Sequence, residues 1–382
     1  MSRQAVIDAR QIDRLIEALR RRGFRVIGPQ VRDGAIVYDE IRSKNDLPAG
    51  WTDEQEAGRY RLKRRGDGAL FGYAVGPQSW KKYLHPAEVR LFTAQRAGAE
   101  FHIVADQQPR PGPFAFLGVR ACELAAMGVL DRVLAQDHFA DPVYRRQREG
   151  VFVVAVNCTS AAATCFCVSV GTGPQVRSGF DLALTELLEG ARHDFLIETG
   201  SHAGEAILQE LEAAPATPEL LERARAAQQR ATAQSRSLPG QGLRELLYAN
   251  LDHPHWDDVA RRCLSCANCT LVCPTCFCTT LEEVTDITGQ HAERWRKWDS
   301  CFSVQFSYIH GGSVRSSAKS RYRQWLTHKL ATWIDQFGSS GCVGCGRCIS
   351  WCPVGIDLTG EVARFRQAPA ISPPQEQPHG AA

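Results

Sequence analysis

A chain of 382 residues, 44% hydrophobic and 23% charged, has the composition of a soluble globular protein with room for two or three domains. Its 45 basic and 42 acidic residues leave a net charge of +3, which argues against general affinity for nucleic acid or an anionic membrane. Fifteen cysteines, an odd number in a long chain, do not fit a secreted disulfide scaffold and point to a reducing, cytoplasmic setting.

Read in chain order, Met1 to Arg25 is charged and lacks the apolar core of a signal peptide. Val6, Ile7, Ile12, Leu15, Ile16 and Leu19 recur at helical spacing, which predicts an amphipathic helix over 3–22. Phe24–Ile27 and Ala35–Tyr38 read as a strand pair, and 40–80 as loop holding Trp51, Tyr60, Phe71, Tyr73 and Trp80. Phe114–Val119 and Val151–Val156 are short apolar runs separated by a helical stretch, Glu123 to Leu134. A strand, crossover helix and strand favour parallel neighbours ending at one sheet edge, where α/β folds place their sites. The 26 residues from Val151 to Val176 carry no formal charge, but Asn157, Thr159, Gly171, Gly173 and Pro174 make them a poor membrane span.

Further on, Phe180–Leu188, Asp194–Glu198 and Ala203–Leu211 continue the α/β character, and 217–236 reads as a polar helix. Pro239, Gly240 and Gly242 mark a boundary. The expected architecture is an α/β N-terminal domain over 1–240, a C-terminal α-helical ferredoxin-like dicluster domain over 241–366, and a proline-bearing disordered tail over 367–382.

Within the C-terminal domain a single cysteine pattern occurs twice. Cys263, Cys266, Cys269 and Cys273 read C-x2-C-x2-C-x3-C, with Pro274 following; Cys342, Cys345, Cys348 and Cys352 repeat it, with Pro353 following. Three thiolates on one short loop take three corners of a 4Fe–4S cubane, and the fourth cysteine of each run ligates the other cluster. One cluster then uses Cys263, Cys266, Cys269 and Cys352, and the other Cys342, Cys345, Cys348 and Cys273. Zinc, the rival for paired C-x2-C motifs, has no use for a third step or a Cys-Pro ending.

Cys122 follows the first buried strand; Cys158 follows the second, with Cys165 and Cys167 just beyond. If the strands are parallel neighbours, these four can ligate a third 4Fe–4S cluster; the plain alternative is buried free cysteines acting as small hydrophobes. Cys276, Cys278 and Cys301 remain unassigned. They can join a non-cysteine ligand in a fourth cluster, replace a ligand named above, or line a cluster pocket. The chain contains no dinucleotide fingerprint, P-loop, H-E-x-x-H or G-x-S-x-G, so no catalytic residue is named. Arg315, Lys319, Arg321, Arg323 and Lys329 read as a solvated helix face or as compensation of cluster charge, and the surface of 302–334 as a docking face.

The segments DEQEAGRYRL (53–62), FGYAVGPQSWKKYL (71–84), FLGVRACELAAMGVLD (116–131), CPTCFC (273–278), RWRKWDSC (294–301) and CVGCGRCISWCPVGID (342–357) resemble the beta subunit of soluble cytoplasmic nickel–iron hydrogenases of the sulfhydrogenase type. The A subunit of anaerobic sulfite reductase belongs to the same family. The resemblance covers roughly residues 10–365 and implies a non-catalytic electron-transfer subunit. Its implied partners are a flavin subunit that handles NAD(P)H, a small iron–sulfur subunit and a nickel–iron large subunit, or a sirohaem subunit in the sulfite reductase case. It also supports the third cluster on Cys122, Cys158, Cys165 and Cys167. A self-contained iron–sulfur enzyme ranks below both.

Overall fold

The computed structural model describes residues 3–105, 112–136 and 138–367; the tail expected from 367 onward lies outside the described residues except for Gln367. Its backbone is an eight-stranded mixed sheet. From one edge to the other the strands are Ala214–Pro215, Gln4–Asp8, Arg192–Thr199, Leu182–Glu189, Phe152–Val156, Phe114–Val119, Arg25–Arg32 and Ala35–Glu40. The four strands from Leu182–Glu189 to Arg25–Arg32 run parallel, and the flanking pairs are antiparallel.

Every residue of Phe114–Val119 and Phe152–Val156 is buried, because helices cover both faces. Side chains alternate across the sheet. Ala115, Leu117, Val154 and Val156 face one core with Ile12, Leu15, Ile16 and Leu19 of the helix Ile12–Arg21. Phe114, Phe116, Val153 and Ala155 face another with Met127 and Leu130 of the helix Ala121–Leu134. Each of the buried Val, Leu, Ile, Phe and Met side chains contributes about 1.5–3 kcal/mol.

Three local expectations are corrected. The first residues of the predicted helix, Gln4–Asp8, form a strand, because Ala5 and Ile7 alternate into the core and pair with Ile197 and Phe195. Asp8 then accepts the Arg10 N–H and starts the helical turn. The stretch 40–80 is not all loop: Trp51–Glu56 and Arg59–Arg64 form a hairpin. Nor is 241–366 all helix. Its strands Thr279–Thr285 and His291–Trp298 join Glu88–Ala97 and Glu100–Ala105 in a four-stranded antiparallel sheet, which therefore draws on both halves of the chain.

A third core lies toward the C-terminus. Leu243, Leu247, Trp256, Val259, Tyr322, Trp325, Leu330, Ile349, Val362 and Phe365 are buried together. Cys263, Cys269, Cys301, Cys342, Cys348 and Cys352 pack against this cluster. No helix among the described residues is long and apolar enough to cross a membrane.

Candidate metal centres

The two cysteine runs fold alike. In each, the residues two and four positions after the first cysteine are left-handed: Ser265 (φ 51°) and Ala267 (φ 65°) in one loop, Gly344 (φ 62°) and Gly346 (φ 76°) in the other. A four-residue helix follows in each case, Asn268–Leu271 and Arg347–Ser350, and carries the third cysteine. The left-handed residues turn successive backbone N–H groups toward the sulfurs. Ser265 N–H lies 3.4 Å from the Cys263 sulfur and Gly344 N–H 3.5 Å from that of Cys342.

The fourth cysteine of each run faces the other loop. Cys263, Cys266, Cys269 and Cys352 line one apolar cavity together with Cys348 of the second set, with Phe302, Tyr322 and Trp325 in its wall. Ile356 N–H reaches the Cys352 sulfur at 3.3 Å. In the second group, burial raises the Cys348 thiol well above its ordinary range, and neighbouring Cys342, Cys345 and Cys273 raise it further. Burial likewise pushes Cys342 up to about 12. A buried thiol of this kind is neutral without a cation and is deprotonated outright when it binds metal.

The third set also meets. Cys122 opens the helix after Phe114–Val119, and Cys158 follows the parallel neighbour Phe152–Val156. Cys165 and Cys167 come from the loop beyond. Burial raises all four thiols; Cys165 also feels Cys167 and Cys158, and Cys122 feels Cys345 of the second set and then Cys167. Gln234 donates to the Cys167 sulfur at 3.1 Å.

All fifteen cysteines are unpaired. Among the described residues, no three His, Cys, Asp or Glu side chains gather closely enough to hold a single ion. A cubane takes one thiolate at each of four iron corners and so spreads its ligands more widely than one ion does. The donor set, the N–H groups aimed at sulfur and the cavity walled by thiols all fit such a cluster.

Buried cations accompany the sulfurs. Arg347 is fully buried, ion-paired to Glu123, and donates to the carbonyls of Gly76 (2.8 Å) and Gln78 (2.9 Å); its charge is felt at Cys345 and Cys122. Arg120 donates to the carbonyls of Phe71 and Tyr73 and stands beside Cys158. Lys329 donates to the Cys273 sulfur (3.3 Å) and to Thr275 Oγ1 (2.9 Å). Of these, sequence reasoning reached only Lys329, and only within a basic stretch. Arg347, inside the second motif as C-G-R-C, carried no signal of burial.

The basic stretch is therefore not a solvated face throughout. Arg321 is buried, its guanidinium bound to the carbonyls of Phe302, Arg315 and Ser316, and Arg323 holds the Leu251 carbonyl and Asp252. Both stitch the fold together, so Arg321 is unsuited to the docking role expected of 302–334. The remaining thiols, Cys276, Cys278 and Cys301, fall at the ends of the strands Thr279–Thr285 and His291–Trp298.

Comparison with known proteins matches this geometry. The model of a 4Fe-4S dicluster domain matches residues 262–356, the span of both loops. Over 252 residues, 64% of this chain and 72% of the relative, the sequence is 33% identical to sulfhydrogenase 2 subunit beta of Pyrococcus furiosus. The chain belongs to the sulfhydrogenase beta-subunit family. It is an iron–sulfur, electron-transfer subunit of the oxidoreductase class, with 4Fe–4S clusters in its C-terminal region. No solved structure matches the chain.

Proposed function

We propose that this chain is the relay of a cytoplasmic, NAD(P)-linked nickel–iron hydrogenase. It passes single electrons between a flavin subunit that handles NAD(P)H and the small iron–sulfur subunit beside the nickel–iron subunit. It binds three 4Fe–4S clusters, on Cys263, Cys266, Cys269 and Cys352; on Cys342, Cys345, Cys348 and Cys273; and on Cys122, Cys158, Cys165 and Cys167.

The observation that carries the reading is the order of these groups. Cys122 of the third group neighbours Cys345 of the second, and Cys348 of the second neighbours Cys269 of the first. Sulfur sites thus stand in a row through one fold. Each bound cluster supplies one-electron redox chemistry. The chain's own residues hold the thiolates, exclude water and set local charge through Arg120, Arg347 and Lys329. Cys266 is the exposed cysteine, so the first group lies nearest solvent and is the end that exchanges electrons with a partner. The hydrogenase assignment draws on the relative's name.

The test is the nickel and sirohaem content of the complex that co-purifies anaerobically with this chain. Nickel without sirohaem, together with hydrogen-dependent NAD(P) reduction, is expected. Sirohaem without nickel moves the chain to sulfite reduction. Replacing Cys345 by Ala removes one cluster and stops the relay while leaving partner assembly partly intact; unchanged NAD(P)H-linked turnover after loss of cluster absorbance rules the relay out.

A further inference from the structure

Three cysteines stand outside the row, and the fold gathers them. Cys276 and Cys278 lie just before the strand Thr279–Thr285, and Cys301 lies just after its antiparallel partner His291–Trp298. Thr279 pairs with Trp298, and the Asp299 N–H donates to the Cys278 carbonyl at 2.9 Å. The base of this hairpin therefore holds Cys278 beside Asp299 and Cys301. A spacing of 23 residues in sequence becomes one side-chain neighbourhood because the register is set by the strands above it.

Two buried ammonium groups reach the same place. Lys329, 7% exposed, touches the Cys273 sulfur. Lys81, 4% exposed, donates to the Cys276 carbonyl at 3.0 Å and sits 4.0 Å from the centre of the Trp298 ring. Neither makes an ion pair with a carboxylate among the described residues. A buried ammonium without counter-charge loses its proton or costs several kcal/mol. The Cys273 thiolate of the second group answers Lys329. Lys81 lies against the Cys276–Cys278 loop; burial opposes its charge, and Cys276, then Cys273 of the second group, then Cys278 support it.

We propose that Cys276, Cys278 and Cys301 are protein ligands of a fourth iron–sulfur site, with Asp299 at the remaining corner and Lys81 as its counter-charge. Cys276 contacts Cys273 of the second group, and Cys301 neighbours Cys269 of the first. The site is thus a side branch touching two members of the row. This inference rests on the three-cluster reading for the place of Cys273 and for the expected iron count, and it does not depend on which partners the chain has.

The experiment is iron and acid-labile sulfide content, with electron paramagnetic resonance, on the full chain reconstituted anaerobically with iron and sulfide. About sixteen irons per chain are expected, and about twelve in the Cys278→Ala/Cys301→Ala variant with the other signals unchanged. In Lys81→Met the iron count stays at the wild-type value while the midpoint potential of the fourth signal moves negative. The proposal is overturned if the wild-type chain holds about twelve irons or fewer. It is also overturned if the double variant keeps its full iron, or if it loses the same signal that Cys345→Ala removes. Wild-type iron content keeps the test decisive should the double variant not fold. Nickel content reads the relay's partners, and loss of about four irons in Cys122→Ala reads the third group, so failure of either reading is told apart from failure of the fourth site.

Discussion

At the scale of single residues, charge placed beside sulfur is the main device. Lys329 sits on a π-helical turn, His328–Thr332, between the helices Ala318–Thr327 and Trp333–Phe337. Such one-turn irregularities recur at functional sites. This one lets the Lys329 carbonyl accept the Gly341 N–H (2.8 Å) while its ammonium meets Cys273. In the metal-free chain the Cys276 hydrogen bond and the Lys329 charge hold the Cys273 thiol well below its ordinary range, against burial. Replacing Lys329 by Met removes a positive charge that favours the reduced, more anionic cluster. The midpoint potential of the second centre should fall by on the order of 60 mV, a tenfold change for one electron; a redox titration showing no shift would refute the role.

His85 makes a second residue-scale prediction. Burial, with Arg296 next, lowers it to about 4, although Asp141 pulls the other way and Lys81 adds to the lowering. The folded state therefore keeps His85 neutral where the unfolded chain protonates. Stability from this group is complete above about pH 6.5 and is lost as pH falls toward 4, by on the order of 3 kcal/mol. Denaturant melts across that window should lose part of their slope in His85→Gln. An identical slope in both proteins would sink the assignment.

At the scale of elements, the two cysteine loops share a backbone but not its cost. Gly344 and Gly346 are pressed against the third group's loop: a Cβ on Gly344 would lie 2.6 Å from the Cys167 backbone, and one on Gly346 2.4 Å from the Thr164 carbonyl oxygen. Ser265 and Ala267 hold the same left-handed conformation with side chains present, which costs about 1–2 kcal/mol each. Gly344→Ala should therefore lower both the melting temperature and the iron content. Ala267→Gly should keep its iron and gain about 1 kcal/mol. Equal behaviour of the two variants would contradict the packing argument. The repeat was legible in the sequence because each loop is written within twelve residues. The contact between Gly344 and Cys167 was not, since nothing local marks it.

At the scale of the whole molecule, Glu123 joins the layers. Its carboxylate accepts from Tyr38 Oη (2.9 Å), Trp80 Nε1 (3.0 Å), the Arg120 N–H (3.1 Å) and Arg347. These partners come from the sheet edge, the segment before the helix Lys81–Leu84, the residue that caps the crossover helix and the second cysteine loop. With four donors the buried charge is well satisfied; without it Arg347 is left buried and unpaired. Glu123→Ala should cost about 3–5 kcal/mol in an unfolding titration, together with loss of iron from the second and third groups. A cost under about 1 kcal/mol would show that the hub is dispensable.

By itself the sequence determined the two ferredoxin-type loops, the parallel strands that carry Cys122 and Cys158, and the family. These are short-range patterns: ligand spacing, apolar runs and turn residues are each written within a few positions. Tertiary structure alone decided that Gln4–Asp8 is a strand and that Glu88–Ala97 completes a sheet with His291–Trp298. It also decided that Lys81, Arg120, Lys329 and Arg347 are buried among sulfurs. Counter-charges have no spacing rule, because any residue the fold brings within a few ångströms can supply one. A lysine destined for the surface and one destined to face a cluster are written identically, and only packing separates them.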